Sequence, residues 1–348
     1  MSAIQFHREL VQSRIRNPLK DFGVSEETIE IRTDPLLGHH CRIGKPKGLD
    51  KVPADDPLEP YVRNSKPCFF CAGKVENQTP MLPADVYEPG RIQAGEALLF
   101  PNLSGFGKYS AVCIFSKEHY IAIDAFTEQL IFNALKACRQ YFRLCAGSRE
   151  ETVYPTVNWN YLLPAGSSIL HPHLQPFMDT VPTNLHRDLL NKTRKFKMEK
   201  GTDFWKELRE AEREGPRFLF ENENTFWFTP FAPTGFNEVN AIVGEGQSYP
   251  ELDEKVLQDT AKGIRTVLQY YASIRHNSFN MTLFSAPVGG PKQGRIMPGF
   301  LKIATRPVFA DDYRNDVAFF EKFHLESMID KAPESVAEEF RLFLDGMP

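Results

Sequence analysis

The sequence has no long apolar segment, no excess of positive charge and few cysteines. No run of about 18 apolar residues occurs in the 348 residues, so we expect no membrane-spanning helix. The N-terminal segment has no apolar signal core, which predicts a cytoplasmic protein. The net charge of −4 argues against a general nucleic-acid binder, because phosphate backbones select basic surfaces. Six cysteines are too few for a disulfide scaffold in a chain of this length.

Proline and phenylalanine are abundant instead, with 26 and 28 residues respectively. So many prolines favour long loops and disfavour a helical bundle or a solenoid, because proline lacks the amide hydrogen that helices use. The length allows one large domain or two ordinary domains, with ample core.

Hydrophobic periodicity predicts the same order of elements in both halves of the chain. Residues 97–115 are expected to form two strands joined by a glycine-bearing loop, followed by a helix over 126–146 and a strand at 156–160. After a charged helical connection over 184–214, two strands, a third strand, a helix and a strand follow in turn, the last at 279–285. The repeated order predicts a structural duplication in which only the first half is chemically equipped.

Both ends of the chain are predicted to be helical, over residues 1–30 and 326–343. In the N-terminal segment four apolar residues stand at helical spacing, namely Phe6, Leu10, Val11 and Ile15. Residues 29–43 are typical of a hairpin with its turn near Asp34-Pro35 or Gly38. The charged side chains of the basic loop Lys45-Pro-Lys-Gly48 could contact phosphates, but we expect them to be solvated.

The most informative stretch contains His171-Pro172-His173 followed by Gln175. If the segment is extended, both histidines and the glutamine point to the same face, because side chains alternate along a strand. The preceding Ala165-Gly166-Ser167-Ser168 can turn tightly and offer backbone N–H groups and hydroxyls to an anion. This combination suits phosphoryl chemistry. Taken alone, it also fits a surface strand with two solvated histidines.

A second signal is the pair Cys68 and Cys71, which supplies half of a tetrahedral zinc site. Alone the pair also fits a redox couple or two core thiols, although no βαβ pattern surrounds it. His119 stands where a predicted strand ends. Together with His171, these residues make a Cys2His2 set, with the number and softness of ligands that zinc prefers. Because protein would fill all four positions, the metal is expected to be structural.

That assignment leaves His173 free, two residues from a fixed metal ligand. A neutral imidazole can attack phosphorus and form a phosphoramidate, which splits one displacement into two. Gln175 would then hydrogen-bond a non-bridging phosphoryl oxygen, and Ser168 and the backbone near Gly166 would hold the developing charge. The predicted catalytic residues are therefore His173, Gln175 and Ser168.

The stretch from Asn160 to Gln175 resembles the active-site motif of galactose-1-phosphate uridylyltransferases, in the histidine-triad (HIT) superfamily. The spacing matches throughout: an asparagine eleven residues before the first histidine, then glycine, serine and His-Pro-His-x-Gln. Cys68-x-x-Cys71 and Phe115-Ser-Lys-Glu-His119 match that family's zinc ligands in order and context. The resemblance covers most of the chain, strongly in the first half and faintly in the second.

The resemblance implies an α+β fold of duplicated HIT-like modules, with a largely antiparallel sheet flanked by helices. Residues 1–183 would carry the metal site and nucleophile, and residues 184–348 would be a degenerate copy. A zinc ion, a homodimer, and a nucleoside diphosphate sugar with a sugar 1-phosphate as substrates are further implications. His173 would carry the nucleoside monophosphate. The residues expected at the nucleotide are Asn102, Asn160, Gly166, Ser168 and Gln175.

The sequence departs from this family at three places. Leu174 replaces a frequent glycine and makes the motif reminiscent of dinucleoside tetraphosphate phosphorylases in the same superfamily. Leu189 stands at a glutamate of a second, iron-type site, which is therefore expected to be absent; no histidine lies near Gly294–Met297 either. Residues 315–323 lack the lysine, tyrosine and glutamate that grip the hexose. A nucleotidyltransferase of carbohydrate metabolism is thus favoured over an enzyme of galactose metabolism specifically.

Two other functions remain open from the sequence. The same nucleophile could serve a phosphorylase of a nucleoside diphosphate sugar or a dinucleoside polyphosphate, with inorganic phosphate as the acceptor. A zinc-stabilised binding protein without catalysis is the other, although scaffolding alone requires neither His173 nor Gln175.

Overall fold

Among the residues that the structure describes, ten strands form one antiparallel sheet that runs through both halves of the chain, and four further strands form a small second sheet. The computed structural model describes residues 3–44, 57–147, 151–289, 297–310 and 315–347. The strands are β1 (His7–Asn17), β2 (Gly23–Thr33), β3 (His40–Ile43), β4 (Ile92–Ala94), β5 (Ala97–Pro101), β6 (Tyr109–Ile114), β7 (Tyr154–Tyr161), β8 (His173–Asp179), β9 (Phe218–Glu221), β10 (Thr225–Phe228), β11 (Phe236–Val243), β12 (Phe279–Phe284), β13 (Gly299–Thr305) and β14 (Ser327–Ile329). The helices are α1 (Leu58–Asn64), α2 (Val75–Gln78), α3 (Glu128–Ala146), α4 (Asn184–Lys200), α5 (Phe204–Arg213), α6 (Glu254–Ser273) and α7 (Pro333–Asp345).

The large sheet consists of two five-stranded units with the same topology. The order β4-β5-β6-β8-β7 in the first half is repeated as β9-β10-β11-β13-β12 in the second. In each unit one long helix follows the third strand along the chain: α3 connects β6 to β7, and α6 connects β11 to β12. The units meet where β7 pairs with β12, from Tyr161–Phe279 to Thr156–Phe284. The predicted duplication and the α+β class are confirmed, while the division at residue 183 stays a prediction.

The two faces of the large sheet differ in what covers them. Helices α3 and α6 bury one face in the main hydrophobic core, which includes Val157, Trp159 and Leu174. The opposite face, called the site face below, carries the alternate residues of the same strands. Asn158 and Gln175 pair across β7 and β8 there, and Asn160 and Asn280 pair across β7 and β12. In the second half, aromatic and aliphatic residues of α4 and α5 cover the site face.

Most predicted elements are present near their expected bounds. The strands expected in 97–115 are β5 and β6, and the helix expected over 126–146 is α3, with Thr127 accepting the Leu130 N–H as N-cap. The hairpin expected at 29–43 turns at Asp34, whose carboxylate accepts the N–H groups of Leu36 and Leu37. The basic loop at 45–48 lies outside the described residues.

The N-terminal prediction of a helix is wrong, because residues 7–33 form the antiparallel pair β1–β2. Three of the four apolar residues whose spacing indicated a helix are not buried: Leu10, Val11 and Ile15 are all exposed. The turn closes through the left-handed residues Asp21 and Phe22. Pairing between the two strands, rather than an amphipathic stripe, therefore determines the structure here.

The C-terminal helix begins later than predicted. Residues 327–329 form β14, which pairs in parallel with β3, and α7 starts at Pro333. Proline is favoured in the first turn of a helix and disfavoured in its interior, so Pro333 sets the start of α7. Among the described residues, no helix is both long and apolar enough to cross a membrane.

A buried ion-pair network joins the small sheet to the rest of the molecule. Arg32 of β2 donates two hydrogen bonds of 2.9 Å to the carboxylate of Glu334 in α7. Arg217 also donates to Glu334, at 3.0 Å, and to Glu212 of α5, at 2.9 and 3.1 Å. Glu212 is fully buried, and burial raises the pKa of its carboxyl to about 7 despite the opposing charge of Arg217.

The variant E212Q is expected to flatten the pH dependence of stability. A carboxyl whose pKa is raised on folding contributes stability below its ordinary pKa and loses it as pH rises to about 7. The wild type should therefore lose up to about 3 kcal/mol more than E212Q between pH 5 and pH 8. Urea unfolding of both proteins at the two pH values measures the difference. Parallel stability curves would show that Glu212 does not titrate in this range.

Candidate active site and metal centre

Cys68 and Cys71 lie in a tight turn between α1 and α2. The N–H of Cys71 donates to the Cys68 carbonyl at 3.2 Å, and the N–H of Phe70 points at the Cys68 sulfur, at 3.4 Å. His119 follows the end of β6, and His171 comes two residues before the start of β8. Three separate segments thus supply the four residues that the sequence predicted as metal ligands.

The four side chains converge, with one donor atom from each within 4.8 Å of the others. The sulfur atoms of Cys68 and Cys71 are 3.9 Å apart. His171 Nδ1 lies 3.8 Å from each sulfur, and His119 Nδ1 lies 3.2 Å from that of Cys71. Ligands around tetrahedral zinc are separated by about 3.3–3.8 Å, given metal–ligand bonds of about 2.0–2.3 Å. The cluster therefore has the donors and spacing to hold a metal ion.

The surroundings of His171 and His119 favour neutral imidazoles, the protonation state that binds a metal. His171 Nε2 lies 2.9 Å from the Ser116 carbonyl and must donate to it, so Nδ1 keeps its lone pair for the cluster. Burial lowers the pKa of His171 to about 4 and also lowers the pKa of His119. Burial raises the pKa of the Cys68 thiol, so a bound cation would have to displace its proton.

His173 begins β8 on the site face and is almost fully buried, with 7% of its surface exposed. Its Nδ1 lies 2.8 Å from the carbonyl of His171. Because a carbonyl only accepts, Nδ1 carries the proton, and the lone pair is on Nε2. Burial lowers the pKa of the ring, which keeps it neutral. The ring of Phe70, from the cysteine turn, packs edge-on against it with ring centroids 5.5 Å apart.

The loop before the histidines has a conformation that few residues adopt. Leu162, at the end of β7, has φ 66° and ψ 169°, a region that is essentially reserved for glycine. A single turn of 3-10 helix, Leu163–Ala165, ends at Gly166 with φ 85°, where the absence of a Cβ avoids strain. Ser168 follows on the surface. Its hydroxyl has no hydrogen-bond partner in the described part of the chain.

Gln175 is half-buried on the site face, two residues along β8 from His173. Its main-chain carbonyl accepts a hydrogen bond of 3.0 Å from the Asn158 side chain. Its own side-chain amide bonds to none of the described residues and remains available to a ligand. Leu174, between them, is 1% exposed in the core beneath α3. The side chain of Leu174 therefore packs in the core, on the opposite face of the sheet from His173 and Gln175.

The two predicted asparagines have different positions. Asn160 lies across from His173, one step beyond the pair Trp159–Leu174. Asn102 follows β5, where its side-chain oxygen accepts the Ser104 N–H at 3.1 Å in a local turn. Its main chain bonds Ser110, which pairs with Phe177, four residues along β8 from His173. The structure thus brings Asn160 beside His173 and leaves Asn102 further along the sheet.

Sequence reasoning missed a contribution from the second half of the chain. Asn280 of β12 contacts both Asn160 and the loop before His171, and Arg306 contacts Asn280. No local motif marks these residues, because Asn280 stands 120 positions from Asn160. Leu189, which stands at the glutamate position of the second metal site that is expected to be absent, is buried in a hydrophobic cluster with residues of α5.

The fold is that of galactose-1-phosphate uridylyltransferase-like proteins. An ADP-glucose phosphorylase from Arabidopsis thaliana, solved with bound ADP-glucose, superposes with a TM-score of 0.69 at 20% identity, covering 90% of this chain and 98% of that one. A uridylyltransferase structure gives a TM-score of 0.65 at 21% identity, covering 91% and 99% of the two chains. The fold expected from the sequence resemblance is confirmed.

A relative by sequence is a protein of Archaeoglobus fulgidus described as "Uncharacterized protein". It is 33% identical over 338 residues, which cover 97% of this chain and 98% of that protein. The chain belongs to the same family as this archaeal protein. No model of a described protein family matches the chain.

Proposed function

We propose that the chain is a nucleotidyltransferase that moves a nucleoside monophosphate from a nucleoside diphosphate sugar to a sugar 1-phosphate through a nucleotidyl-His173 intermediate. One observation carries the proposal: the Nδ1–H of His173 is fixed on the His171 carbonyl at 2.8 Å, so Nε2 presents its lone pair on the site face. Gln175 lies on the same face, and the side chains of Gln175 and Ser168 have hydrogen-bonding groups that no described residue uses.

The reaction divides between these residues. His173 Nε2 attacks the α-phosphorus, a P–N bond forms, and the P–O bond to the β-phosphate breaks, with the electron pair leaving on the sugar 1-phosphate. A phosphate oxygen of the acceptor then attacks the same phosphorus and releases the imidazole. The hydroxyl of Ser168 and the amide of Gln175 would donate to the phosphoryl oxygens as negative charge shifts onto them. The Gly166 N–H, expected from the sequence to join them, is already used, because it donates to the Leu163 carbonyl at 2.9 Å.

The metal proposed for Cys68, Cys71, His119 and His171 is zinc. All four ligand positions come from the protein, so bound zinc supplies structural chemistry: it fixes the cysteine turn to the segment before β8. The residues of the chain then do the rest. Phe70 of the same turn packs on the His173 ring, and the His171 carbonyl orients that ring, so the nucleophile is held on two sides.

A phosphorylase is the second candidate. Its first half-reaction is the same, and inorganic phosphate replaces the sugar 1-phosphate as acceptor. The fold shared with an ADP-glucose phosphorylase, at a TM-score of 0.69, supports this alternative. The first half-reaction is therefore the part of the proposal that both candidates have in common.

The test is a panel of UDP-, ADP- and GDP-sugars incubated with the protein and followed by intact-mass spectrometry. We expect one of them to add the mass of its nucleoside monophosphate in an acid-labile form. The adduct is then chased with sugar 1-phosphates or inorganic phosphate, and the acceptor that discharges it distinguishes the two candidates. Absence of an adduct with every donor would reject both. A cytoplasmic location and a homodimer are part of the proposal, and light scattering tests the latter.

A further inference from the structure

We propose that Arg306 and Asn280, both from the second half of the chain, are positioning residues that turn the Asn160 amide so that its N–H₂ group faces the ligand beside His173. The inference rests on the proposed function for the identity of that ligand, a diphosphate. The second half of the chain, which has no nucleophile, would thus help to build the site around His173 in the first half.

The orientation starts from a group that can only donate. Arg306 Nε and NH2 bind the two carboxylate oxygens of Asp316 at 2.6 and 2.5 Å, and its NH1 lies 2.6 Å from a side-chain atom of Asn280. A guanidinium has five donors and no acceptor, so the atom of Asn280 that faces it must be Oδ1. Since Asp316 is 10% exposed and Arg306 20%, this pair is largely shielded from water.

The Nδ2 of Asn280 consequently points the other way. It lies 2.9 Å from the main-chain carbonyl of Ala165, which can only accept, and 2.7 Å from the Asn160 side chain. Both hydrogens of Asn280 Nδ2 are thus used, and the atom of Asn160 that receives one of them must be Oδ1. The orientations of the Asn280 and Asn160 side-chain amides therefore both follow from the donors of Arg306.

The hydrogen bonds from Arg306 through Asn280 to Asn160 are called the relay below. The relay leaves the Nδ2 of Asn160 unused. This nitrogen has no hydrogen-bond partner in the described residues, and Asn160 lies across from His173 on the site face. Asn280 also donates to the carbonyl of Ala165, the residue before Gly166 in the loop that leads to the exposed Ser168. The relay therefore presents the N–H₂ group of Asn160 beside the nucleophile and occupies the nearby acceptor of Ala165. N–H donors in this position select the oxygen atoms of a phosphoryl group. Asp316 balances the charge of Arg306, so the relay contributes orientation and not net charge.

Stability measurements test the orientation without any activity. With Oδ1 of Asn160 towards Asn280, a carboxylate in N160D still accepts from Asn280, so its Tm should stay within about 2 °C of the wild type. In N280D a carboxylate faces the Ala165 carbonyl and Asn160 Oδ1 without donors, and Tm should fall by about 5 °C or more. If N160D is as damaging as N280D, the assigned orientation is wrong.

The positioning role is tested by a double-mutant cycle on single-turnover adduct formation with saturating sugar nucleotide. N160A should slow this step about 10²-fold and N280A about 10-fold, and the double variant should be no slower than N160A within about threefold. Effects that multiply would overturn the claim that Asn280 acts through Asn160. A drop in Tm for N280A with an unchanged rate would reduce Asn280 to a structural residue.

The control is N240A, which removes another buried asparagine of the same sheet, 2% exposed and on β11, which β13 and β12 separate from β7. It should leave the rate of adduct formation unchanged. A wild type that forms no adduct would reject the proposed function, whereas the contrast between N160D and N280D would still decide the orientation. The two failures are therefore distinguishable.

Discussion

The variant H173Q is expected to abolish adduct formation, with a loss of at least about 10⁴-fold, because removal of a covalent nucleophile leaves only binding and charge stabilisation. Glutamine keeps much of the size and polarity of histidine, but its amide nitrogen has no lone pair that attacks phosphorus. The measurement is single-turnover formation of the adduct by intact mass. The variant should still bind sugar nucleotide, since Gln175, Ser168 and Asn160 are unchanged.

The matched control is the neighbouring variant H171Q. His173 lies outside the group of four donor atoms, so H173Q should keep the metal content of the wild type and most of its Tm. H171Q should lose the metal, because it removes a donor atom that lies 3.8 Å from both cysteine sulfurs. An adduct that forms normally on H173Q would show that another residue is the nucleophile.

Much of the fold could be predicted because its signals are local. Helices α3 and α6 each carry one apolar face of ordinary length, and both begin at a residue whose side chain accepts an N–H of the first turn, Thr127 and Asp253 respectively. The long pair β1–β2 was predicted wrongly for the converse reason. The residues of β1 are exposed along almost the whole strand, so their pattern reflects pairing with β2 and contains no signal of a buried face.

The site divides in the same way between local and distant information. Asn160, the loop at 165–168, His171, His173 and Gln175 lie within 16 residues, so their spacing alone predicts a shared surface. The cysteine pair could be added because few residue types bind soft metals. Nothing local marks Asn280 or Arg306, whose relevance depends on β12 pairing with β7. Leu174 shows the opposite limit, since a residue inside the motif proved to belong to the core.

Removal of the metal is expected to lower both stability and activity. The cluster is the link among three segments: the cysteine turn, the connection after β6 and the segment before β8. Without a cation, the thiols of Cys68 and Cys71 and two neutral imidazoles are packed together with few hydrogen bonds to replace the metal–ligand bonds. Structural zinc sites contribute directly to folding free energy. We therefore expect the variant C68S/C71S to contain almost no zinc and to lose roughly 10 °C in Tm.

Adduct formation should fall with the metal because the cysteine turn also positions the nucleophile. Phe70 lies between the two cysteines, and its ring packs on both His171 and His173, with centroids 5.9 and 5.5 Å away. Release of the turn would remove that contact and free the ring of His173. The measurement is zinc per chain by elemental analysis, with Tm and single-turnover rate on the same samples, before and after chelation and after zinc is restored.

The matched control is C138A, which changes a fully buried cysteine of α3 that lies outside the group of four. It leaves a small cavity and should cost about 1 kcal/mol or less while zinc content and rate stay at the wild-type values. Loss of rate in C68S/C71S with an unchanged Tm would indicate that the metal acts in the chemistry itself. Retention of both after complete removal of zinc would contradict the structural role, since His173 would then be held by the His171 carbonyl and the sheet alone.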